Sequence, residues 1–268
     1  MDTMAGTGTA IDLASVDAER AWSRIARHAA YVAAIGFFAV TVLYLLDVYD
    51  VLDRSPRYVP TSAGQLTDEA NFWARVFEHQ HRIVWDVIAR DVAGPVALVA
   101  LIVLGVALRR RSQADRPDRQ LMDPFLTAGG TIAALSSLLY LGNAEFWRQP
   151  WGPIHAGGET SVIAVGRATT AIDNLTIWTE AFGYLVLTLG IVCIGSVVRR
   201  QPGMPKALGS LAYVTAAALL GLSIATAADT DTPRSILALG VGAVLAPWVC
   251  LWLGRDLGRS SEPSMERG

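Results

Sequence analysis

Six long apolar runs, separated by short stretches that hold most of the charge, set the pattern of this chain. They fall at about 29–46, 83–108, 125–142, 173–198, 207–228 and 235–253. Each is close to the roughly 20 residues that a bilayer-crossing helix needs. The second is free of charge only from Val92 to Leu108. Its helix is expected to begin earlier, because no breaker occurs between Asn71 and Gly94. The third and sixth runs follow Asp123-Pro124 and Thr232-Pro233, where the first residue can cap free N–H groups and the proline suits the first helical position. Barrel strands would alternate polar and apolar residues, and no such segments occur. The pattern predicts an all-α membrane protein, a six-transmembrane-helix bundle.

Residues 1–20 are small and polar, without a periodic apolar face, and read as a disordered cytoplasmic tail. Residues 21–255 read as a single six-helix membrane domain and 256–268 as a second cytoplasmic tail. The first run lies too far from the start, and lacks the small-residue cleavage site, for a secretory signal. It is expected to be a retained span.

Composition sharpens this reading. Hydrophobic residues make up 52% of the chain and charged ones 17%, with a mean hydropathy of +0.37. Soluble domains carry nearer a quarter charged residues. The net charge of −2 gives no reason to expect nucleic-acid binding. Cys193 and Cys250 both lie within apolar runs and read as small buried hydrophobes rather than a disulfide.

Basic residues set the orientation. Arg20, Arg24 and Arg27 precede span one. Arg109, Arg110, Arg111, Arg116 and Arg119 join spans two and three. Arg199, Arg200 and Lys206 join spans four and five, and Arg255, Arg259 and Arg267 follow span six. These are 14 of the 22 basic residues, while the opposite side holds 8 basic and 14 acidic residues. The expected topology is N-in/C-in, in the plasma membrane, with both termini cytoplasmic. Two long outer connections, 47–71 and 143–170, are expected to lie as loops at the headgroup level.

The candidate chemistry lies in polar groups that lipid would not tolerate. A charge facing lipid at mid-bilayer costs at least about 2.5–3.5 kcal/mol, so such groups face the bundle interior. Span two carries Asp86, Arg90 and Asp91. Asp86 and Arg90 are four apart and can pair, and Gly94-Pro95 predicts a kink beside them. Span four carries Asp173, Thr176, Glu180 and Tyr184 on one face, with Asp173 and Asn174 also able to cap its start. Span three adds Ser136, Tyr140 and Asn143, then Glu145. These predict one polar cluster of Asp86, Arg90, Asp91, Asn143, Glu145, Asp173, Glu180 and Tyr184 between spans two, three and four. Spans five and six contain no ionisable group. Their small residues suit close packing, and they read as scaffold.

Known chemistries find little support. His79 and His81 are two apart, so on a helix they diverge, and with Glu145 and His155 they match no zinc spacing. No metal and no cofactor is therefore expected. No histidine lies inside a span to hold haem, no lysine lies in a span for a Schiff base, and no phosphate loop or nucleophile motif occurs. The polar residues do not repeat between halves as in inverted-repeat transporters.

Four stretches carry a resemblance: R-I-A-R-H-A-A-Y-V-A-A-I-G-F-F (24–38), N-F-W-A-R-V-F with W-D-V-I-A-R (71–90), G-S-V-V-R-R-Q-P-G-M-P-K-A-L-G-S-L-A-Y (195–213) and W-L-G-R (252–255). Across most of 24–255 the chain resembles a family of bacterial six-helix integral membrane proteins of unknown function. The resemblance implies the six-span topology and a glutamate in span three, for which Glu145 is the candidate. It implies no reaction.

Three functions remain open. The cluster binds a small ligand, an ion or protons in transport or sensing. Alternatively, its acids act as an enzyme on a lipid or isoprenoid, with Trp85, Trp178 and Tyr184 as pocket walls. Or it is purely architectural, an arginine–carboxylate network that fixes helix register. The lipid bilayer is the one partner the sequence implies, and the oligomeric state stays open.

Overall fold

The computed structural model describes residues 13–62, 64–112, 116–148 and 156–259. Its helices are α1 (Leu13–Val48), α2 (Gln65–Arg111), α3 (Pro117–Arg148), α4 (Gly158–Arg200) and α5 (Lys206–Ala227). The sixth span comprises α6 (Asp231–Ala238), a π-helical segment (Leu239–Leu245) and α7 (Ala246–Arg259). Six helices are long and apolar enough to cross a membrane. The protein is an all-α bundle of six membrane-spanning helices. Helices suit this setting because they satisfy their own backbone groups where no water can.

Each helix packs on the next, α1 on α2 through α4 on α5, and the sixth span returns beside α1 while touching α5. The ring is thereby closed. Its interior is lined with small and aliphatic side chains, including Ala33, Ala97, Leu104, Leu126, Ile194, Leu208 and Ala212. Its outside is equally apolar: Ile35, Val99, Leu138, Leu175, Phe182, Ile224 and Trp248 are all exposed. A bundle apolar on both faces suits lipid and not water.

Small residues allow the closest crossings. A β-carbon on Gly129 would lie 2.5 Å from the backbone nitrogen of Leu187, and one on Gly183 would lie 2.7 Å from that of Ala133. These two sites let α3 and α4 approach backbone to backbone.

Several helix limits depart from the sequence expectations. Helix α1 starts at Leu13, inside the stretch read as a tail, and α7 continues to Arg259, past the expected boundary at 255. Helix α3 starts at Pro117 and runs through Pro124. Its first turn is anchored instead by Asp118, which accepts hydrogen bonds from Ser196 Oγ (2.7 Å) and Arg200 Nη1 (3.3 Å) of α4. Asp123 is not a cap but accepts from Arg109 at 2.7 Å. Helix α6 starts at Asp231, so Pro233 sits at its third residue, where a missing N–H still costs nothing. Helix α2 is unbroken through Pro95.

The sixth span accommodates Pro247 by a change of helix type. Pro247 has no N–H for the Ala243 carbonyl. The preceding segment is π-helical, and the Ala246 N–H reaches back five residues to the Val241 carbonyl.

Much of the expected outer loops is helix. Helices α2 and α4, of 47 and 43 residues, rise roughly 65–70 Å at about 1.5 Å per residue. That is more than twice a bilayer core. Their extensions carry charges on one side and bury a second core of Phe77, Ile83, Val84, Trp147 and Val162 on the other. Charged faces hid these turns from a search for apolar runs. Of the expected connection 143–170, residues 149–155, His155 among them, lie outside the described residues.

Candidate functional site

Every span contributes to a cavity of about 440 Å³ inside the ring. Its two ends differ. Toward the end of the bundle that carries the 49–64 connection, the lining is polar: Tyr44, Asp47, Arg90, Asp91, Tyr140, Asp173, Glu180, Tyr184 and Arg234. Deeper, it is apolar, with Phe37, Leu101, Leu187, Ile191, Leu219 and Val249. From Arg90 to Leu101 the rise along α2 is roughly 16 Å. The deep hydroxyls of Thr41 and Thr215 donate to carbonyls one turn back on their own helices, at 2.9 Å each, so they add little polarity there.

Two ion-paired groups build the polar end. In the first, Arg90 Nε donates to Asp91 Oδ1 at 3.3 Å, and Arg90 Nη1 lies 3.5 Å from Asp47 Oδ2 at the end of α1. The guanidinium also lies 5.7 Å from the centre of the Tyr140 ring. In the second, Arg234 Nη2 donates to Glu180 Oε2 at 2.8 Å, and the Tyr184 hydroxyl donates to Glu180 Oε1 at 2.6 Å. Arg234 lies 5.6 Å from the centre of the Tyr44 ring. Between the groups, Asn143 Nδ2 of α3 donates to Asp173 Oδ1 of α4 at 3.0 Å.

Local sequence explains how Arg234 arrives. Helix α5 ends at Ala227, and a tight turn follows in which Asp229 takes a left-handed φ of 49°, a conformation aspartate tolerates better than most residues. The turn is closed by Thr230 N–H to the Ala225 carbonyl at 3.1 Å. This places α6 beside α5 and α1, from where the Arg234 side chain reaches Glu180 of α4.

The balance of charge is uneven. Four carboxylates (Asp47, Asp91, Asp173, Glu180) face two guanidiniums (Arg90, Arg234). Asp91 is only 5% exposed, and its Oδ2 is buried without a hydrogen-bond partner among the described residues. Buried charges are costly unless paired and hydrogen-bonded, so this end of the cavity is electrostatically incomplete.

The expected cluster is thus partly redrawn. Arg90, Asp91, Asp173, Glu180 and Tyr184 line the cavity, and Asn143 supports it from behind. Asp86 does not pair with Arg90 among the described residues. It lines a small neighbouring crevice with Leu43, Leu52 and Ile83, which also touches Asp47 and Arg90, while the Arg90 guanidinium is drawn toward Asp91 and Asp47. Asp173 lies well inside α4 and caps nothing, since that helix begins at Gly158. Glu145 belongs to α3, but its side chain lies outside the described residues. Trp85 and Trp178 are 65% and 63% exposed. They sit on the outer surface and cannot wall the cavity. The sixth span is more than scaffold, for it brings Arg234 and much of the apolar lining.

Tyr44, Asp47 and Arg234 were missed as site residues. Each lies near the end of a run or just outside it. Charge balance was the usable signal: Asp91, Asp173 and Glu180 outnumber Arg90, so a second cation had to come from another helix end at the same level.

His79 and His81 tie down the segments around the polar end. Buried His79 has its Nδ1 2.9 Å from Asp53 Oδ2, and Arg82 Nε donates to the same oxygen at 2.7 Å. These bonds, from Arg82 first and then His79, hold the Asp53 carboxyl at about 2. His81 Nδ1 instead meets the Trp147 carbonyl at 2.8 Å. The two histidines diverge, and among the described residues no three His, Cys, Asp or Glu side chains converge on a metal position. Nearby, Arg167 clamps Glu69 through two hydrogen bonds of 2.9 and 3.0 Å, and Trp73 packs against Gly166. The buried thiols Cys193 and Cys250 are both free.

Neither a family model, nor a curated protein, nor a solved structure matches the chain.

Proposed function

We propose that this is an integral plasma-membrane protein, with both termini in the cytoplasm, that binds a small amphipathic molecule within its bundle for transport or sensing. The observation that carries this reading is the two-ended cavity. Its volume of about 440 Å³ falls in the range of small-molecule sites, roughly 300–1,000 Å³. A network serving only to fix helix register would be expected to be closed and fully paired. Here Asp91 is among the residues lining the cavity, and its buried Oδ2 has no hydrogen-bond partner among the described residues. The lipid-enzyme reading loses two of its three proposed walls, since Trp85 and Trp178 lie outside.

The test is extraction and mass spectrometry of small molecules retained by the protein purified in nanodiscs. Wild type is expected to retain a specific compound. Ser137→Trp, which fills the cavity from α3, is expected to lose it. Equal retention by the folded variant would refute the reading. The orientation has its own test. Ala156→Cys should be labelled by an impermeant thiol reagent on intact cells and Glu262→Cys should not; the reverse pattern would overturn it.

A further inference from the structure

The polar end of the cavity discriminates between ligand charges. Both guanidiniums are engaged: Arg90 lies against Asp91 and Asp47, and Arg234 bonds to Glu180. An anionic head would have to compete with these carboxylates for its partners. The carboxylates are in excess. Asp173 is met by the neutral amide of Asn143, and Asp91 lines the cavity with a carboxylate whose buried Oδ2 has no hydrogen-bond partner among the described residues. Taken as ionised, the lining carries two more negative than positive charges, in a setting where low dielectric strengthens attraction for a cation.

The character of the cation follows from what surrounds it. A divalent metal ion wants several oxygen ligands at about 2.0–2.6 Å, and no three metal-ligating side chains converge among the described residues. Tyr140 and Tyr184 line the same end, and aromatic rings attract diffuse organic cations such as quaternary ammonium groups. The deep half of the cavity offers mainly alkyl and small side chains, with Phe37, to whatever follows the head.

We propose that the molecule taken by the cavity is an organic cation with an apolar tail, an alkylammonium amphiphile whose charged head lies beside Asp91 and whose tail runs toward Leu101 and Ile191. This rests on the ligand-binding reading above and adds the sign of the charge. Asp91 supplies the principal counter-charge, Asp173 the second.

Three probes of matched tail length test it on the full-length protein in nanodiscs, below their micelle concentrations: decyltrimethylammonium, decyl sulfate and decanol. Binding is read by thermal stabilisation and by titration calorimetry. The ammonium probe is expected to bind at least about tenfold more tightly than either of the others. Asp91→Asn and Asp173→Asn should each weaken it several-fold while leaving decanol unchanged. The two variants are independent, so misfolding of one does not remove the test. If the three probes bind alike, or the sulfate binds best, the cationic assignment falls and the cavity reading stands. The same holds if both folded variants keep wild-type affinity for the ammonium, which would mean that its charge lies elsewhere. If no probe binds, and Ser137→Trp retains the same small molecules as wild type, both readings fall.

Discussion

Arg234, in the first turn of α6, donates from Nη2 to Oε2 of Glu180, in the middle of α4, across 2.8 Å. The two side chains are 16% and 19% exposed, so the pair is largely withdrawn from solvent. Removing one partner of such a pair leaves an uncompensated charge and costs about 3–5 kcal/mol, whereas replacing both is far milder. Arg234→Gln is therefore expected to lower the unfolding temperature in detergent sharply. Adding Glu180→Gln should recover much of the loss, with a coupling on the order of 1–3 kcal/mol. Additive losses in the double variant would show that the contact does not hold α6 to α4.

The Arg90 group makes an asymmetric prediction. One guanidinium serves both Asp91 and Asp47. Arg90→Met leaves two carboxylates facing each other without a cation, and a loss of at least about 3 kcal/mol is expected. Asp91→Asn removes a charge that is only half satisfied. Its amide oxygen can still accept from Arg90 Nε, so the cost should stay within about 1 kcal/mol. Thermal unfolding of the two variants in the same detergent compares them. A larger loss for Asp91→Asn would contradict the view that this end of the cavity carries surplus negative charge.

The number of spans could be read from the sequence because lipid demands uninterrupted apolar helices, and that demand leaves a plain pattern. The identity of the buried acids on α2 and α4 was legible for the same reason: Asp91 and Glu180 stand where lipid forbids them. The groups that join them from spans one and six were not. Arg234 and Asp47 lie at helix ends, where charges are ordinary, and only the ring closure of the sixth span beside α1 and α5 brings them inward. Nor did spacing decide between Asp86 and Asp91 as the partner of Arg90. The i,i+4 rule favoured Asp86, but the attraction of Asp47 across the helix interface turns Arg90 away from it. The early start of α2 was expected from the lack of a breaker after Asn71, but its first turns at 65–70 and the extension 158–170 escaped notice because their stability comes from packing around Trp73, Phe77 and Val162, not from an apolar run.

Asp53 gives a pH prediction outside the spans. Its carboxyl is held at about 2 by Arg82 and His79, below its ordinary value of 3.8. A depressed folded pKa means that the carboxylate stabilises the folded arrangement fully above about pH 4. That contribution declines as pH falls and is gone once pH drops below about 2. Pepsin, active across this window, should begin to nick residues 49–62 as pH is lowered from 4 toward 2. Asp53→Asn should be nicked throughout, without that pH dependence. A wild-type loop equally resistant at pH 2 and pH 4 would show that Asp53 does not clamp it to α2.

The α3–α4 crossing supplies the sharpest steric prediction. A β-carbon at position 183 would meet the Ala133 nitrogen at 2.7 Å and its α- and β-carbons at 2.9 Å. The atoms in the way are backbone and its first carbon, which cannot rotate aside, so the helices must separate. Gly183→Ala is expected to cost about 1–3 kcal/mol, the usual penalty for overpacking a tight contact. Gly142→Ala is the matched control. It lies on α3 with nothing among the described residues within 4 Å of the added carbon, and alanine's better helix propensity should leave it neutral or stabilised by up to about 1 kcal/mol. Thermal melts of both variants decide the point. Because α3 and α4 carry Asn143, Asp173 and Glu180, the separation should also lengthen the Asn143–Asp173 hydrogen bond. Gly183→Ala should therefore weaken retention of the cavity's ligand as well as the fold, while Gly142→Ala leaves both intact.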